Sequence, residues 1–141
     1  MRRSRRCSGP QKLNLLVDTH VALWSLTESS RIPQRIQALL ADPSNRAYVS
    51  PVSIWEIAIK HRLAKPSAPP FSGRDATGHF RRAGYATLPL TEAHAAAVDD
   101  LPLLHGDPFD RLLVAQALTE PMRLVTADKQ LAAYSDSVIA W

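Results

Sequence analysis

With 141 residues, 45% of them hydrophobic, the chain is long enough for one domain with a true core and too short to suggest two. Its single cysteine excludes an internal disulfide and a thiolate metal cluster. The formal charge of +4 suggests a nucleic-acid partner, but five of the 17 basic residues fall in the first twelve positions. The other 12 basic residues are balanced by 13 acidic residues in the rest of the chain.

We therefore predict a basic, disordered arm over residues 1–12 and a nearly neutral globular domain over residues 13–141. The apolar run that follows the arm stops at Asp18, which is too early for a secretory signal. No apolar run approaches the ~20 residues that a membrane helix needs. We expect a cytoplasmic protein without a membrane partner.

Short apolar runs alternate with helical segments along the rest of the chain, as expected for strands buried on both faces of a parallel sheet. The predicted strands span 13–17, 47–49, 86–90, 123–126 and 137–140. The predicted helices span 20–26, 33–41, 51–63, 75–83, 91–101, 107–118 and 128–133, and a Pro-rich loop spans 66–73. Because no tight hairpin turn separates the strands, we predict an α/β fold with a mainly parallel five-stranded sheet between helices.

Two acidic residues follow predicted strands. Asp18 ends the run Leu15-Leu16-Val17, and Asp128 follows the fourth strand after one alanine. Ligands of parallel sheets bind outside the carboxyl ends of the strands, so both side chains are candidates for a site. Either aspartate could instead cap the helix that follows it.

Two further acids lie on predicted helices. Glu56 shares a narrow polar wedge with Ser53 and Lys60 on an otherwise apolar helix, although an exposed pair between Glu56 and Lys60 would give the same pattern. In Asp107-Pro108-Phe109-Asp110, Asp107 is suited to cap a helix, and Asp110 could close a capping-box-like arrangement or point to the same edge of the sheet.

If these four carboxylates converge, they need a counter-charge. Two like charges about 4 Å apart repel by roughly 4 kcal/mol at an effective dielectric near 20, so the cluster must be protonated or must hold cations. Hard oxygen ligands without a cysteine or histidine set favour Mg²⁺ or Mn²⁺ over zinc. Such ions activate water for in-line attack on a phosphodiester.

The same residues resemble a known family, the PIN-domain nucleases, and within it the VapC-type toxins of type II toxin–antitoxin systems. The resemblance runs from about residue 13 to the end of the chain. It is carried by the segments Leu15-Leu16-Val17-Asp18-Thr19-His20-Val21-Ala22-Leu23-Trp24, Ser53-Ile54-Trp55-Glu56-Ile57-Ala58-Ile59-Lys60, Asp107-Pro108-Phe109-Asp110-Arg111-Leu112-Leu113-Val114-Ala115-Gln116-Ala117 and Val125-Thr126-Ala127-Asp128.

The resemblance implies a three-layer α/β/α sandwich and hydrolysis of RNA that leaves a 5′-phosphate and a 3′-hydroxyl. By the same resemblance, Mg²⁺ or Mn²⁺ is bound mainly by two aspartates, and two further acids complete the site or hold its water. Two threonines support it. The main ligands are Asp18 and Asp110, the completing acids are Glu56 and Asp128, and the supporting residues are Thr19 and Thr126.

Other polar residues near these acids have more than one interpretation. Arg111 and Lys60 border the expected site and are candidates for RNA phosphate contacts, although pairing within a helix would also explain them. We interpret the remaining candidates for a general base as structural; these are His20, His61, His94 and His105. The sequence departs from the family in the basic extension and in the Pro-rich loop, which leaves the choice of RNA open.

The resemblance also implies a homodimer that a cognate antitoxin protein inhibits. An apolar partner surface could come from Trp24, Trp55, Leu26, Ile36, Leu39 and Leu40, although burial in the core would explain most of them. Two alternatives stay open. One is a phosphohydrolase with an aspartate nucleophile, but His20 stands where the usual second aspartate would be. The other is a non-catalytic RNA- or protein-binding domain with vestigial acids.

Overall fold

The computed structural model describes residues 12–141, so most of the basic arm predicted at 1–12 lies outside the described residues. Five strands form one sheet in the order β3-β2-β1-β4-β5, and every neighbouring pair is parallel. The strands are β1 (Asn14–Val17), β2 (Arg46–Val49), β3 (Ala86–Thr87), β4 (Arg123–Thr126) and β5 (Ile139–Ala140). The predicted parallel five-stranded sheet is confirmed.

Helices cover both faces of this sheet. They are α1 (Thr19–Thr27), α2 (Gln34–Ala41), α3 (Pro51–Leu63), α4 (Gly73–Arg82), α5 (Glu92–Ala97) and α6 (Pro108–Thr119), with 3₁₀ turns at Ser29–Arg31, Val98–Asp100 and Lys129–Tyr134. Alternate residues of β1 enter opposite cores. Leu15 and Val17 pack with side chains of α1 to α4, whereas Leu16 packs with side chains of α6. This is the three-layer sandwich expected from the sequence.

Several predicted boundaries were wrong. The strand at 86–90 pairs only over Ala86–Thr87, and its last ladder bond runs from the Leu88 N–H to the Val49 carbonyl, because β2 ends at Val49 and the chain enters α3 at Pro51. The helix at 91–101 ends as an α-helix at Ala97 and tightens into a 3₁₀ turn before Pro102. The segment at 128–133 is a 3₁₀ helix. Pro33 precedes α2 with an extended ψ of 147° instead of opening it.

The central strands determine where the polar site lies. Because β1 and β4 are parallel neighbours with Val17 opposite Val125, the residues that follow them leave the same edge of the sheet. Asp18 and Asp128 are therefore brought to one edge.

Within residues 12–141, no helix is long and apolar enough to cross a bilayer.

Candidate active site

Asp18 lies at the centre of the site. Its side chain is buried, and its two oxygens accept different hydrogen bonds: Oδ1 from the backbone N–H of Val21 at 2.9 Å, and Oδ2 from the hydroxyl of Thr126. Asp18 therefore caps α1, as the alternative interpretation held, and it also contacts Thr126 at the end of β4. The pKa of Asp18 is raised from 3.8 to about 6: burial is the largest cause, the two hydrogen bonds oppose it, and repulsion by Glu56 and Asp128 adds to it.

Glu56 is 2% exposed although it stands in the middle of α3. Its Oε2 accepts a 2.6 Å hydrogen bond from Lys60 Nζ, and its Oε1 is buried without a hydrogen-bond partner in the part of the chain that the structure describes. The predicted pair with Lys60 exists, but its carboxylate is buried and not exposed. A buried carboxyl oxygen without a partner is costly, which makes Oε1 a candidate ligand atom for a cation.

Asp110 stands in the first turn of α6 and does not close a capping box. The cap is Asp107, whose Oδ1 accepts from the backbone N–H groups of Phe109 at 2.8 Å and Asp110 at 3.3 Å. The Asp110 carboxylate is left free to face the site. The pKa of Asp110 is raised from 3.8 to about 7, chiefly by burial and also by repulsion from Asp107, Asp18 and Glu56, against which the proximity of His105 acts.

Asp128 completes the group from the far side of Thr126. Its backbone N–H donates to Thr126 Oγ1 at 3.0 Å, so the same hydroxyl that donates to Asp18 also fixes the backbone of Asp128. Asp128 Oδ1 caps the following 3₁₀ turn through Gln130 N at 2.9 Å, and Oδ2 lies 2.7 Å from His105 Nε2. The expected supporting role of Thr126 thus has a geometric basis.

Thr19 and Ser53 link the first and third helices beside these acids. The Thr19 hydroxyl donates to Ser53 Oγ at 2.8 Å, and both side chains are buried. This bond joins the start of α1, which Asp18 caps, to the polar face of α3 that carries Glu56. The polar wedge predicted on α3 is therefore the face that lines the site.

The two basic residues assigned to RNA contact differ in their surroundings. The Lys60 side chain is 43% exposed at the mouth of the site. Arg111 instead donates to the carbonyl of Pro102 at 2.9 Å, the hydroxyl of Tyr134 at 3.1 Å and the carbonyl of Val98 at 3.5 Å. These internal bonds favour a structural role for Arg111, and its contact with RNA stays a prediction.

A groove of about 580 Å³ opens next to the acids between α1 and α3. We call it the α1–α3 groove. Thr19 and Glu56 line it where it meets the site, and Trp24, Arg31, Lys60 and the segment 65–70 line the rest. The Arg31 guanidinium lies 4.2 Å from the centre of the Trp24 ring. His61 Nδ1 donates to the carbonyl oxygen of Pro69 at 2.9 Å and so anchors the Pro-rich wall of the groove, which agrees with a structural role.

The chain resembles known proteins both in sequence and in fold. The PIN domain model matches residues 15–136. The chain belongs to the PIN-domain family. Ribonuclease VapC22 of Mycobacterium tuberculosis is 31% identical to it over 121 residues, which cover 83% of this chain and 88% of that PIN-domain relative.

Solved structures of toxin–antitoxin complexes share the fold of this PIN domain. VapBC2 from Rickettsia felis, solved with a DNA fragment from the promoter, superposes with a TM-score of 0.66 at 13% identity, covering 92% of this chain and 98% of that one. VapBC-5 from Mycobacterium tuberculosis superposes with a TM-score of 0.57 at 18% identity, covering 94% and 97%. At these identities the likeness concerns the fold alone. The family and the fold inferred from the sequence are confirmed.

Sequence reasoning missed one residue of this PIN-domain site. His105 was interpreted as structural, yet its Nε2 lies 2.7 Å from Asp128 Oδ2 and 3.8 Å from Asp110 Oδ2. One atom from each of these three residues falls within 4.8 Å of the others. The sequence could have indicated this role, because His105 stands two residues before Asp107, which caps α6. At that spacing the His105 ring accepts a hydrogen bond from the backbone N–H of Asp107.

The surface predicted for partners is only partly exposed. Ile36 is 2% exposed and belongs to the core, and Trp24, Leu26, Leu39 and Leu40 pack against that core. Trp55 is 58% exposed, and its ring meets Phe109 edge-on at 5.2 Å. With Ile59 and Leu63, which are also exposed, Trp55 forms an apolar strip along α3.

Proposed function

We propose that this protein is a Mg²⁺- or Mn²⁺-dependent endoribonuclease and the toxin of a toxin–antitoxin pair. The observation that carries the proposal is the buried acid cluster, in which Glu56 Oε1 has no partner among the described residues and the pKa values of Asp18 and Asp110 are raised by burial and mutual repulsion. Such a cluster is unfavourable by itself and favourable around a divalent cation.

The residues present fit such an ion. The donors are carboxylate oxygens, which Mg²⁺ and Mn²⁺ prefer, and Glu56 Oε1 offers a buried oxygen to which no group of residues 12–141 donates. Asp18 and Asp110 would hold the ion, with Glu56 and Asp128 completing the site. When bound, the ion would supply activation of a water and neutralise charge developing on the phosphate.

The chain's own residues would prepare that reaction. Thr126 fixes one oxygen of Asp18 and the backbone of Asp128, so both acids keep their orientation while the ion binds. The bond between Thr19 and Ser53 holds α1 against α3 beside Glu56. In the reaction, the oxygen of a water forms a bond to phosphorus as the water gives up a proton. The bond from phosphorus to the 3′ oxygen breaks, and the 3′ oxygen takes up a proton.

The α1–α3 groove is the candidate path for a single-stranded RNA. Proteins bind single strands with cations that follow the phosphates and with flat groups on which bases stack. Lys60 stands where the groove meets the acids, and the Arg31 guanidinium lies over Trp24 as a flat cation further along. A groove of about 580 Å³ is in the range of small-ligand sites and suits a short segment of chain.

The partner proposal comes from the relatives and has a matching surface here. The VapBC structures that share this fold contain toxin and antitoxin together. The apolar strip of Trp55, Ile59 and Leu63 is exposed on α3 and suits a protein partner, either an antitoxin or a second copy of this chain. A homodimer and a cytoplasmic location stay predictions.

Cleavage of RNA by the purified protein tests the enzymatic proposal. We expect Mn²⁺ or Mg²⁺ to support cleavage, EDTA to stop it, and the products to carry 5′-phosphates. Asp18→Asn should be inactive, and Asp75→Asn, which changes an exposed aspartate on α4, should cleave like wild type. Intact RNA with wild type, together with RNA binding that needs no metal, would favour the non-catalytic alternative.

Induced expression tests the toxin role separately. We expect wild type to arrest growth and degrade cellular RNA, and Asp18→Asn to do neither. Unchanged growth with active purified enzyme would retain the nuclease and remove the toxin role.

A further inference from the structure

His105 bridges the loop before α6 and the acid that follows β4. Its side chain is 13% exposed. The backbone N–H of Asp107 donates to Nδ1 at 3.1 Å, and Nε2 lies 2.7 Å from Asp128 Oδ2. The ring therefore connects two segments that are 23 residues apart in the chain.

The contact with Asp107 determines which ring nitrogen carries the proton. A backbone N–H can only donate, so His105 Nδ1 must accept, and a neutral ring then has its hydrogen on Nε2. That hydrogen points at Asp128 Oδ2, which can only accept when ionised. The ring is thus a donor with a fixed direction toward the acid site.

Asp128 needs such a donor because its side chain is 36% exposed, more than the other acids of the site. Its Oδ1 is held by the N–H of Gln130, a cap at the edge of solvent. Without His105, that cap would be the remaining restraint on the carboxylate among the contacts described, and rotation about it would move Oδ2 out of the site.

We propose that His105 is a positioning residue: its Nε2–H holds Asp128 Oδ2 in the orientation that the metal centre requires, and His105 is not itself a ligand. This inference rests on the proposed metal-dependent function. It agrees with the general observation that groups hydrogen-bonded to metal ligands fix their orientation.

Direct ligation is the competing interpretation, since Nε2 lies near oxygens of Asp110 and Asp128. To bind a metal, Nε2 must present a lone pair, which moves the proton of a neutral ring to Nδ1. That proton would then face the N–H of Asp107, two donors 3.1 Å apart. The loop geometry therefore favours the donor role.

Four full-length variants test the proposal: His105→Ala, His105→Gln, Asp128→Asn and the double variant His105→Ala/Asp128→Asn. Mn²⁺ affinity is measured by calorimetry at one fixed pH, after thermal melting shows that each variant is folded. The matched control is His79→Ala, which removes a ring that contacts Arg82 on α4. Loss of an outer hydrogen-bond partner typically weakens metal binding by about 10- to 100-fold.

We expect His105→Ala to weaken Mn²⁺ binding by about tenfold or more, and His105→Gln, which keeps an amide N–H donor, to recover most of it. Because both residues act through one carboxylate, the double variant should bind no more weakly than Asp128→Asn. On a short RNA of fixed sequence, kcat should fall in His105→Ala with KM unchanged. Additive losses, or a glutamine variant as weak as alanine, would overturn the proposal.

The tautomer gives a test that needs neither metal nor activity. Long-range ¹⁵N–¹H spectra of the metal-free protein should show His105 with its proton on Nε2. A proton on Nδ1 would overturn the positioning role even if the enzyme is active, and so would a Co²⁺ complex whose visible spectrum shows nitrogen ligation that disappears in His105→Ala. If wild type binds Mn²⁺ with the expected tautomer but cleaves no RNA, the proposed function fails and the role of His105 stands.

Discussion

Two buried polar clusters in this protein are satisfied in opposite ways. In the first, His94 accepts from the backbone N–H of Thr91 at 3.1 Å through Nδ1 and pairs through Nε2 with Glu120, so donors meet acceptors and α5 is held on α6. In the second, Asp18 and Glu56 bring like charges together, and Glu56 Oε1 has no partner among the described residues. The first cluster stabilises the fold, whereas the second is unfavourable unless its acids are protonated or hold a cation.

The two clusters share α6, which makes the contrast informative. Asp110 stands in the first turn of this helix and Glu120 caps its end. Ten residues separate them, about 15 Å along the axis. One helix therefore carries an acid whose pKa is raised to about 7 and, at its other end, an acid paired with an imidazole. Substitutions at the two ends should affect different properties.

The largest expected effect is on catalysis at the second cluster, the acid site. Asp110→Asn removes a proposed metal ligand and should lower the initial rate of RNA cleavage by about a hundredfold or more, since even an outer partner of a ligand is typically worth 10- to 100-fold. Asp99→Asn, an exposed aspartate in the 3₁₀ turn after α5, is the matched control. A rate for Asp110→Asn within fivefold of wild type would contradict its assignment.

The next effect is a loss of stability of the metal-free protein as the pH rises. Asp18 and Asp110 lose protons near 3.8 when unfolded but hold them to about 6 and 7 in the folded chain. The folded state binds more protons between these values, so in this respect its stability is highest below pH 4, falls as the pH rises from 4 to 7, and is level above pH 7. We expect a loss on the order of 3 kcal/mol between pH 5 and pH 8, measured by urea unfolding in EDTA.

Two additions distinguish this cause from others. Asp110→Asn should flatten the pH dependence and be more stable than wild type at pH 8, and saturating Mg²⁺ should restore wild type there. If metal-free wild type were as stable at pH 8 as at pH 5, the charges of these acids would be compensated within the protein, which would contradict the prediction.

A smaller effect is expected at the first cluster, the His94–Glu120 pair, and on stability alone. His94→Ala leaves a cavity and removes the partner of Glu120, which should lower the free energy of unfolding by about 2 kcal/mol. Mn²⁺ affinity of the folded fraction should be unchanged. The control is His79→Ala, which removes a histidine ring that contacts Arg82 on α4, away from this cluster. Equal losses in both variants would argue against the contribution of the His94 pairing.

How far these features follow from the sequence depends on how local their cause is. Asp18 and Asp128 were predicted because apolar runs mark the strands that they follow, and parallel strands end at one edge. The structure shows that the alternative of a helix cap was not a competitor, since each aspartate caps with one oxygen and faces the site with the other. The polar wedge on α3 identified Glu56 but did not reveal that its carboxylate is buried.

His105 and the short β3 could not be derived in the same way. A single histidine in a loop has no periodicity, and its partner Asp128 is 23 residues away, so only the tertiary fold brings them together. The extent of β3 depends on pairing with β2 at the edge of the sheet, which the propensity of residues 86–90 does not report. Contacts between distant segments, more than local pattern, are what the sequence left undetermined.

The smallest expected effect separates the two cations that the sequence assigned alike to RNA. Lys60→Gln should raise KM for a short RNA about two- to fivefold and reduce the dependence of binding on log salt by roughly 0.7 if one phosphate contact is lost. Arg111→Gln should leave both unchanged and lower stability by about 1 kcal/mol, because its guanidinium holds the carbonyl of Pro102 and the hydroxyl of Tyr134. If Arg111→Gln altered the salt dependence and Lys60→Gln did not, the RNA would bind near Arg111 on α6 and not in the α1–α3 groove.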